Sequence, residues 1–318
     1  MADHKDDDHE GDGVDRRGFL KCMAWAGTGL LWTASGGVLS SRAFGAVPDP
    51  REKGDFTFVQ ISDSHIGFSK ETNKDVTATL QETVAKINAL PQAPDLLIHT
   101  GDLTHLSKAR EYDTVAEVLK GAKAGRILYV PGEHDIFTDD GKQYLKRFGK
   151  GTKGTGWQSF NHQGVHFVGL VNVMSLGLKA GGLGVLGREQ LDWLKTDLAG
   201  LASSTPIVVY AHVPLWTIYP EWGWGTEDGE QALTYLKRFG SVTVLNGHIH
   251  QILQKVEGSI TFHTARSTAF PQPAPGKAAG PGPIKDVPAE KLRSMLGLTS
   301  VNFVAGRRSL AVIDSTLG

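Results

Sequence analysis

Six apolar runs rich in β-branched residues constrain the fold of this 318-residue chain more than any other feature. They read DFTFVQISD, DLLIHTGD, RILYVPGE, VHFVGLVNV, PIVVYAHVPL and VTVLNGHIH, which is the composition of buried strands. Between several of them lie segments with helical spacing, such as NKDVTATLQETVAKINAL and GREQLDWLKTDLAGL. This alternation predicts an α/β fold in which crossovers join parallel strands. The later runs ILQKVEGSITFHT and NFVAGRRSLAVID predict antiparallel strands that close a sheet.

Ionisable residues follow the carboxyl ends of five of these strands. They are Asp63 and His65, Asp102, the Glu133-His134-Asp135 run, His212, and His248 with His250. Such groups are costly to dehydrate unless they are paired, and open α/β sheets gather their ligand sites at this edge. Mixed carboxylate and imidazole ligands suit Zn, Mn or Fe, and so many candidates exceed the needs of one ion. The pattern therefore predicts two neighbouring metal ions.

These five ordered blocks resemble the motifs of the calcineurin-like metallophosphoesterase superfamily over roughly residues 55–252. The segments around Asp102 and before His212 are most similar to its branch related to cyclic-nucleotide phosphodiesterases. The resemblance implies a four-layer αββα sandwich of two mixed β-sheets flanked by helices. It also implies a dinuclear metal site at the C-terminal ends of the strands.

The resemblance further implies a role for each residue. The expected metal ligands form two sets that share one bridging carboxylate: Asp63, His65 and His250 for one ion, Glu133, His212 and His248 for the other, and Asp102 between them. His134 would lie beside the leaving-group oxygen as an acid or charge stabiliser, with Asp135 orienting it. Two metal ions drawn from Fe, Mn and Zn would polarise the phosphoryl oxygens and generate a bridging hydroxide that attacks phosphorus in line.

The predicted activity is hydrolysis of a phosphodiester bond in a small phosphorylated substrate. Two alternatives stay open: a broad-specificity phosphomonoesterase, and a non-catalytic exported protein that binds metal or phosphate. The net charge of −1 argues against binding of a nucleic-acid duplex, because such proteins carry a basic excess.

Position 133 departs from the pattern, because the family has Asn where this chain has Glu133. Three negative ligands would then face two cations, which predicts tighter metal binding and weaker attraction of a dianionic monoester. Glu133 would either favour monoanionic diesters or recruit a trivalent iron. The alternatives are that Glu133 turns away or stays protonated, or that the site only binds.

Residues 1–46 are predicted to be a twin-arginine export signal, which leaves residues 47–318 as the metallophosphoesterase domain. Arg16-Arg17 precede a short apolar stretch broken by glycines, and small residues follow it. The alternative is an anchor that is never cut. The signal predicts passage through the twin-arginine translocation machinery to the periplasm or outside, with no stable membrane span after processing. Cys22 is the only cysteine and lies in this segment, so the mature chain has no disulfide and no catalytic thiolate.

Two segments without a core pattern are predicted to be connections, with a lid as the alternative for each: a flexible basic loop at residues 149–160 and a Pro/Gly-rich loop at residues 270–288. His105 is close enough to the Asp102 block for an indirect role in the site. The other histidines of the strands and hairpins are predicted to be structural: His99, His162, His166 and His263. Candidates for contact with the substrate are Asn246, Trp216 and Trp222 to Trp224, and for these aromatics packing is the default expectation.

Overall fold

The computed structural model describes residues 54–174, 182–305 and 310–318, together with the backbone of two strands nearer the N-terminus. The chain divides into two units, Met1–Glu52 and Lys53–Gly318. In the first unit, β1 (Gly29–Ser35) and β2 (Val38–Phe44) pair antiparallel. Arg16-Arg17 lie outside the described residues, so the export signal stays a prediction. Among the described residues, no helix combines the length and the apolar character that crossing a bilayer requires.

The first sheet of the second unit carries three of the predicted strands at its centre and edge. Its strands are β3 (Phe56–Ile61), β4 (Leu96–His99), β5 (Arg126–Tyr129), β12 (Gly297–Phe303) and β13 (Ala311–Thr316). In the described part of the chain their order is β13-β12-β3-β4-β5. β3, β4 and β5 run parallel, whereas β12 pairs antiparallel with both β3 and β13. The sheet is therefore mixed.

The second sheet holds the remaining strands of that unit. They are β6 (Gln158–His162), β7 (Val165–Gly169), β8 (Ile207–Tyr210), β9 (Val242–Asn246), β10 (Gln254–Glu257) and β11 (Ile260–Thr264). Among the described strands the order is β10-β11-β9-β8-β7-β6. β10 and β11 form the predicted antiparallel pair, but β11 also runs parallel to β9, with Thr264 beside Asn246. The outcome is a second mixed sheet.

Helices cover the outer face of each sheet. α1 (Val76–Asn88), α2 (Ala109–Lys120) and α3 (Lys142–Phe148) pack against the first sheet, and α4 (Arg188–Ala199) and α5 (Gly229–Leu236) pack against the second. A sixth described helix, α6 (Ala289–Met295), precedes β12. The inner faces meet in a core in which Phe58 and Ile98 lie against Phe167 and Val208. The predicted αββα sandwich is confirmed.

Burial on both faces explains why the parallel strands are continuous apolar runs. In β3, Phe58 faces the core between the sheets, while Val59 and Ile61 face the helices. Each such side chain contributes about 2 kcal/mol through removal of apolar surface from water. A polar substitution at either face therefore destabilises the layer that positions the strand ends.

The segment at residues 149–160 differs from the prediction of a flexible loop. Trp157 is buried beside Val171 and Val213, and β6 begins at Gln158. A single tryptophan after a glycine-rich stretch gives no periodic signal, so the sequence did not indicate that it anchors the segment. The hairpin predicted around His162 is present, and its turn places Gln163 and Gly164 at positive φ.

Candidate metal centre

The ends of strands from both sheets converge on one cluster of ionisable side chains. β3, β4 and β5 deliver Asp63, His65, Asp102 and Glu133 from the first sheet. β8 and β9 deliver His212, His248 and His250 from the second. Within this cluster, groups of three ligand atoms lie within 4.8 Å of one another. The structure thus brings together all seven predicted metal ligands.

The first ligand set contains Asp63, His65 and His250, as predicted. Nε2 of His250 lies 3.3 Å from Oδ1 of Asp63 and 3.3 Å from Nε2 of His65. Nε2 of His65 lies 3.4 Å from Oδ2 of Asp102. These atoms surround a point that one cation would occupy.

The second ligand set contains Glu133, His212 and His248. Oε2 of Glu133 lies 2.9 Å from Nε2 of His212, and Oε1 lies 3.1 Å from Nδ1 of His248. Nε2 of His212 is 3.5 Å from Oδ2 of Asp102, the same oxygen that faces His65. Asp102 therefore lies between the two sets, where a bridging ligand is required.

The residues fit two metal ions by their chemistry and by their unmet bonding. Among the described side chains, Nε2 of His212, both ring nitrogens of His248 and Oε2 of Glu133 are buried and form no aligned hydrogen bond, although Glu133 lies within 3.1 Å of both rings. Leaving buried polar atoms unsatisfied costs about 1–3 kcal/mol each, and ligation of a cation removes that cost. Imidazole and carboxylate donors suit Zn, Mn or Fe.

Backbone carbonyl groups fix the tautomers of two of the histidines. Nδ1–H of His212 donates to the carbonyl of Thr100 at 2.7 Å, and Nδ1–H of His250 donates to the carbonyl of Phe270 at 2.6 Å. In both rings Nε2 is thereby left facing the cluster. Such outer partners orient metal-binding imidazoles and raise their basicity.

Five of the seven ligands have a left-handed backbone. Their φ angles lie between 41° and 69°, at Asp63, His65, Asp102, His248 and His250. Non-glycine residues adopt this region at a cost of roughly 1–3 kcal/mol each, so the surrounding structure must hold them. β3 ends at Ile61, so Asp63 and His65 lie beyond the strand and do not share a face through strand alternation. They converge because the chain turns sharply after the strand.

Glycines permit this crowding at two points. A side chain at Gly132 would overlap the carboxylate of Asp102, and one at Gly247 would overlap Ser62 and approach Asp63. Only glycine lets these strand ends approach so closely.

His134 lies at the edge of the cluster, where its ring is held by His105. Nδ1–H of His134 donates to the carbonyl of His105 at 2.8 Å, and the two rings stack with centroids 4.9 Å apart at 16°. The side chain of Phe137 continues this stack at 6.4 Å and is 56% exposed. Burial alone would lower the pKa of His134, but the charges of Asp102 and Glu133 outweigh it and raise the pKa. Because Nδ1 is bonded to the backbone, Nε2 of His134 is left for a substrate.

Asp135 was expected to orient the ring of His134, but it does not contact that ring. Its carboxylate accepts hydrogen bonds from the amides of Leu103, Thr104 and Gly132 and from the hydroxyl of Thr104. Among the described contacts, the bond that orients His134 comes from His105. Asp135 is instead a positioning residue that fastens the Asp102 loop to the loop after β5. The sequence could not show this, because the donors are backbone amides.

Glu133 faces the ligand set rather than turning away. Burial would raise the pKa of Glu133, but the neighbouring charges of His248 and His212 outweigh it and hold the pKa well below the usual range. The same pairing raises the pKa of His212, where burial is outweighed by Asp102 and Glu133. Both carboxylate oxygens of Glu133 face imidazole nitrogens of the second set, so the alternative of an averted Glu133 is wrong.

The residues considered for contact with the substrate serve the fold. The amide of Asn246 donates to the carbonyls of Ala211 and Val213. Trp222 and Trp224 pack with Ile249, and Trp216 lies against Phe262. Asn246 is therefore a structural residue, and the aromatics pack as expected by default, with Trp222 and Trp224 buried and Trp216 partly buried.

His99 is buried structure, as predicted, and its chemistry gives a pH-dependent stability. The hydroxyl of Ser64 donates to the carbonyl of Leu103, so Nε2–H of His99 must donate to that hydroxyl, 2.9 Å away. Burial lowers the pKa of His99 from its ordinary value to about 3. Between pH 6.5 and about 3, the unfolded chain therefore binds a proton at His99 and the folded protein does not.

We expect His99 to make the protein less stable as pH falls from 6.5 towards 3, because its folded pKa is depressed. The slope attributable to this residue approaches about 1.4 kcal/mol per pH unit. Urea unfolding of the metal-free wild type and of His99→Gln between pH 5 and 7 measures it. The variant should show the shallower dependence; parallel profiles would contradict the assignment.

Comparisons with known proteins agree with this geometry. The family model of the calcineurin-like phosphoesterases matches residues 56–252. Glycerophosphodiester phosphodiesterase GpdQ of Enterobacter lignolyticus (strain SCF1) is 25% identical over 225 residues, which cover 67% of this chain and 77% of that protein. A probable cyclic nucleotide phosphodiesterase of Synechococcus sp. (strain WH7803) is 30% identical over 222 residues, covering 61% of this chain and 74% of that protein.

A solved structure of a dimetal phosphatase from Danio rerio superposes with a TM-score of 0.59. The match covers 83% of this chain and 96% of that chain at 14% identity. At this identity the likeness shows the fold, and it is the same αββα sandwich.

Proposed function

Because this chain belongs to the calcineurin-like phosphoesterase family, we propose that it is a phosphodiesterase acting on small phosphorylated substrates. The family makes it a metal-dependent phosphoesterase with a dinuclear site of His and Asp ligands. The names of the two similar proteins, one a glycerophosphodiester phosphodiesterase and the other a probable cyclic nucleotide phosphodiesterase, support the choice of diesters.

The observation that carries the proposal is the carboxylate of Glu133 within the second ligand set. Together with Asp63 and Asp102 it brings three negative charges to the centre. They cancel three of the four positive charges of two divalent ions, whereas an Asn at position 133 would leave two uncancelled. The reduced positive potential attracts a dianionic monoester less than the family pattern would, and favours the monoanion of a diester.

The ligand sets and the residues beside them divide the catalytic work. Two ions held by these ligand sets would polarise the phosphoryl oxygens and lower the pKa of a water molecule. Asp102 presents Oδ2 to both sets while Oδ1 accepts the amide of His134 at 2.9 Å, which fixes His134 relative to the centre. Nε2 of His134 then gives its proton to the leaving oxygen. Asp135 keeps the two loops that carry Asp102 and His134 in register.

The side of the centre beside His134 suits an organic leaving group. Phe137 lies parallel to His134 and exposes more than half of its surface. An apolar face at this point favours flat or apolar organic leaving groups over small polar ones.

We expect the purified protein, reconstituted with Mn²⁺, to hydrolyse bis(p-nitrophenyl) phosphate with a kcat/KM at least tenfold above that for p-nitrophenyl phosphate. Removal of metal by a chelator should abolish turnover, and added Mn²⁺ should restore it. His162→Gln, which changes a hairpin histidine away from the cluster, serves as a matched control and should behave as wild type.

The same measurement separates the alternatives. Faster turnover of the monoester would identify a phosphomonoesterase. Uptake of metal without turnover of either ester would identify a binding protein.

A further inference from the structure

The segment at residues 267–272 contacts four of the seven metal ligands, although it lies beyond the residues that match the family model. β11 brings it there. Because β11 runs parallel to β9, the chain leaves both strands at the same edge of the second sheet. The residues after Thr264 therefore emerge beside the loop that carries His248 and His250.

The aromatic ring of Phe270 fills the space against the first ligand set. Its centroid lies 4.8 Å from that of His65 and 4.7 Å from that of His250, with the ring planes at 28° and 42°. Phe68 covers the ring on another side at 4.4 Å, and Phe270 is 4% exposed. One buried ring thus touches both imidazoles of this set.

The backbone of the segment is fastened to the same ligands. The carbonyl of Phe270 accepts Nδ1–H of His250, and the hydroxyl of Ser267 donates to the carbonyl of Asp63 at 2.7 Å. That hydroxyl also accepts the amides of Ala269 and Phe270 at 2.8 and 3.1 Å. Gln272 reaches the other set only through the backbone, where its amide donates to the carbonyl of His248 at 3.1 Å. The contacts that the segment makes with the side chains of metal ligands therefore all fall on the first set.

We propose that residues 267–272 form a positioning segment for the Asp63, His65 and His250 subsite, with Phe270 as its principal side chain. Phe270 holds the two imidazole rings at a fixed angle, and its carbonyl keeps Nε2 of His250 free for ligation. The segment sets the affinity of this subsite and leaves that of the Glu133, His212 and His248 subsite nearly unchanged. The inference rests on the proposed function, because it assumes that the cluster binds two ions.

The test is titration of metal-free protein with Mn²⁺, followed by calorimetry and by the electron spin resonance of free Mn²⁺. We expect Phe270→Leu to raise one of the two dissociation constants by about 10- to 100-fold, the range for loss of an outer partner of a metal ligand. The other constant should change less than threefold. Phe239→Leu is the matched control, because it removes an equally buried ring from the helix-covered face of the second sheet.

The subsite is assigned in a His248→Ala background, which weakens the second ligand set and isolates the ion of the first. In that background Phe270→Leu should again weaken binding by the same factor. Should Phe270→Leu fail to fold, Ser267→Ala, which removes only the hydroxyl bonded to Asp63, provides the comparison. Ser267→Ala should raise the same dissociation constant.

The outcomes distinguish the two proposals. Two unchanged constants in Phe270→Leu, or an equal loss at both, overturn the positioning role while the phosphodiesterase proposal stands. Two tightly bound ions without hydrolysis overturn the phosphodiesterase proposal alone. A wild-type protein that takes up no Mn²⁺ overturns both.

Discussion

Replacement of His134 by Asn is expected to lower kcat for a diester with a poor leaving group by about a hundredfold to a thousandfold, the range for a lost general acid. The Asn amide occupies the place of Nδ1 and keeps the bond to the carbonyl of His105, so the loop stays in position. What disappears is Nε2, the atom left to protonate the leaving oxygen. An alkyl p-nitrophenyl diester, whose nitrophenolate leaves as a stable anion, should lose less than tenfold.

The comparison with His134→Gln separates an acid from a charge stabiliser. The Gln amide places a donor near the position of Nε2 but carries no transferable proton. Equal losses for Asn and Gln, confined to poor leaving groups, support proton transfer. Activity that recovers in the His134→Gln variant would assign His134 to charge stabilisation. So would a loss of kcat that is the same for good and poor leaving groups. Metal content measured on each variant ensures that the change is not one of occupancy.

Replacement of Glu133 by Asn is expected to shift specificity towards monoesters by tenfold or more. Removal of one charge about 5 Å from the phosphoryl group changes the energy of an additional substrate charge by about 3 kcal/mol at an effective dielectric constant of 20. Solvent screening reduces that value, because the side chain of Glu133 is partly exposed. The ratio of kcat/KM for bis(p-nitrophenyl) phosphate to that for p-nitrophenyl phosphate measures the effect.

Glu133→Gln supplies the matched control, because it removes the charge and preserves the length of the side chain. Both variants should move the ratio in the same direction, and metal should be held less tightly in both. Elemental analysis of the wild type tests the second possibility, in which a trivalent iron restores the lost positive charge. If the ratio and the metal content are both unchanged in the variants, the role assigned to Glu133 is wrong.

The pattern of the sequence was sufficient to predict an α/β fold and one cluster of ligands, whereas the four layers and the division into two ligand sets came from the family resemblance. The periodic segments became α1, α2 and α4, and the apolar runs became the parallel strands. Since the carboxyl ends of parallel strands meet at one edge, ligands from distant segments could be grouped without knowledge of distances.

The sequence was insufficient where contacts run through the backbone or through an irregular segment. The partners of Asp135 are amides, and the left-handed conformations of the ligands leave no residue-type signature. The role of Phe270 depends on the parallel pairing of β11 with β9, whereas the pattern indicated only the antiparallel pair with β10. A Pro/Gly-rich composition then disguised a buried aromatic residue as part of a plain connection.

The left-handed backbone at Asp63, His65, Asp102, His248 and His250 has a consequence for how this protein tolerates change. Glycine at these positions would remove the backbone strain. The substitution that abolishes ligation would therefore also be the one that relieves the strain. Selection for thermal stability alone would favour replacement of these metal ligands, whereas selection for activity retains them.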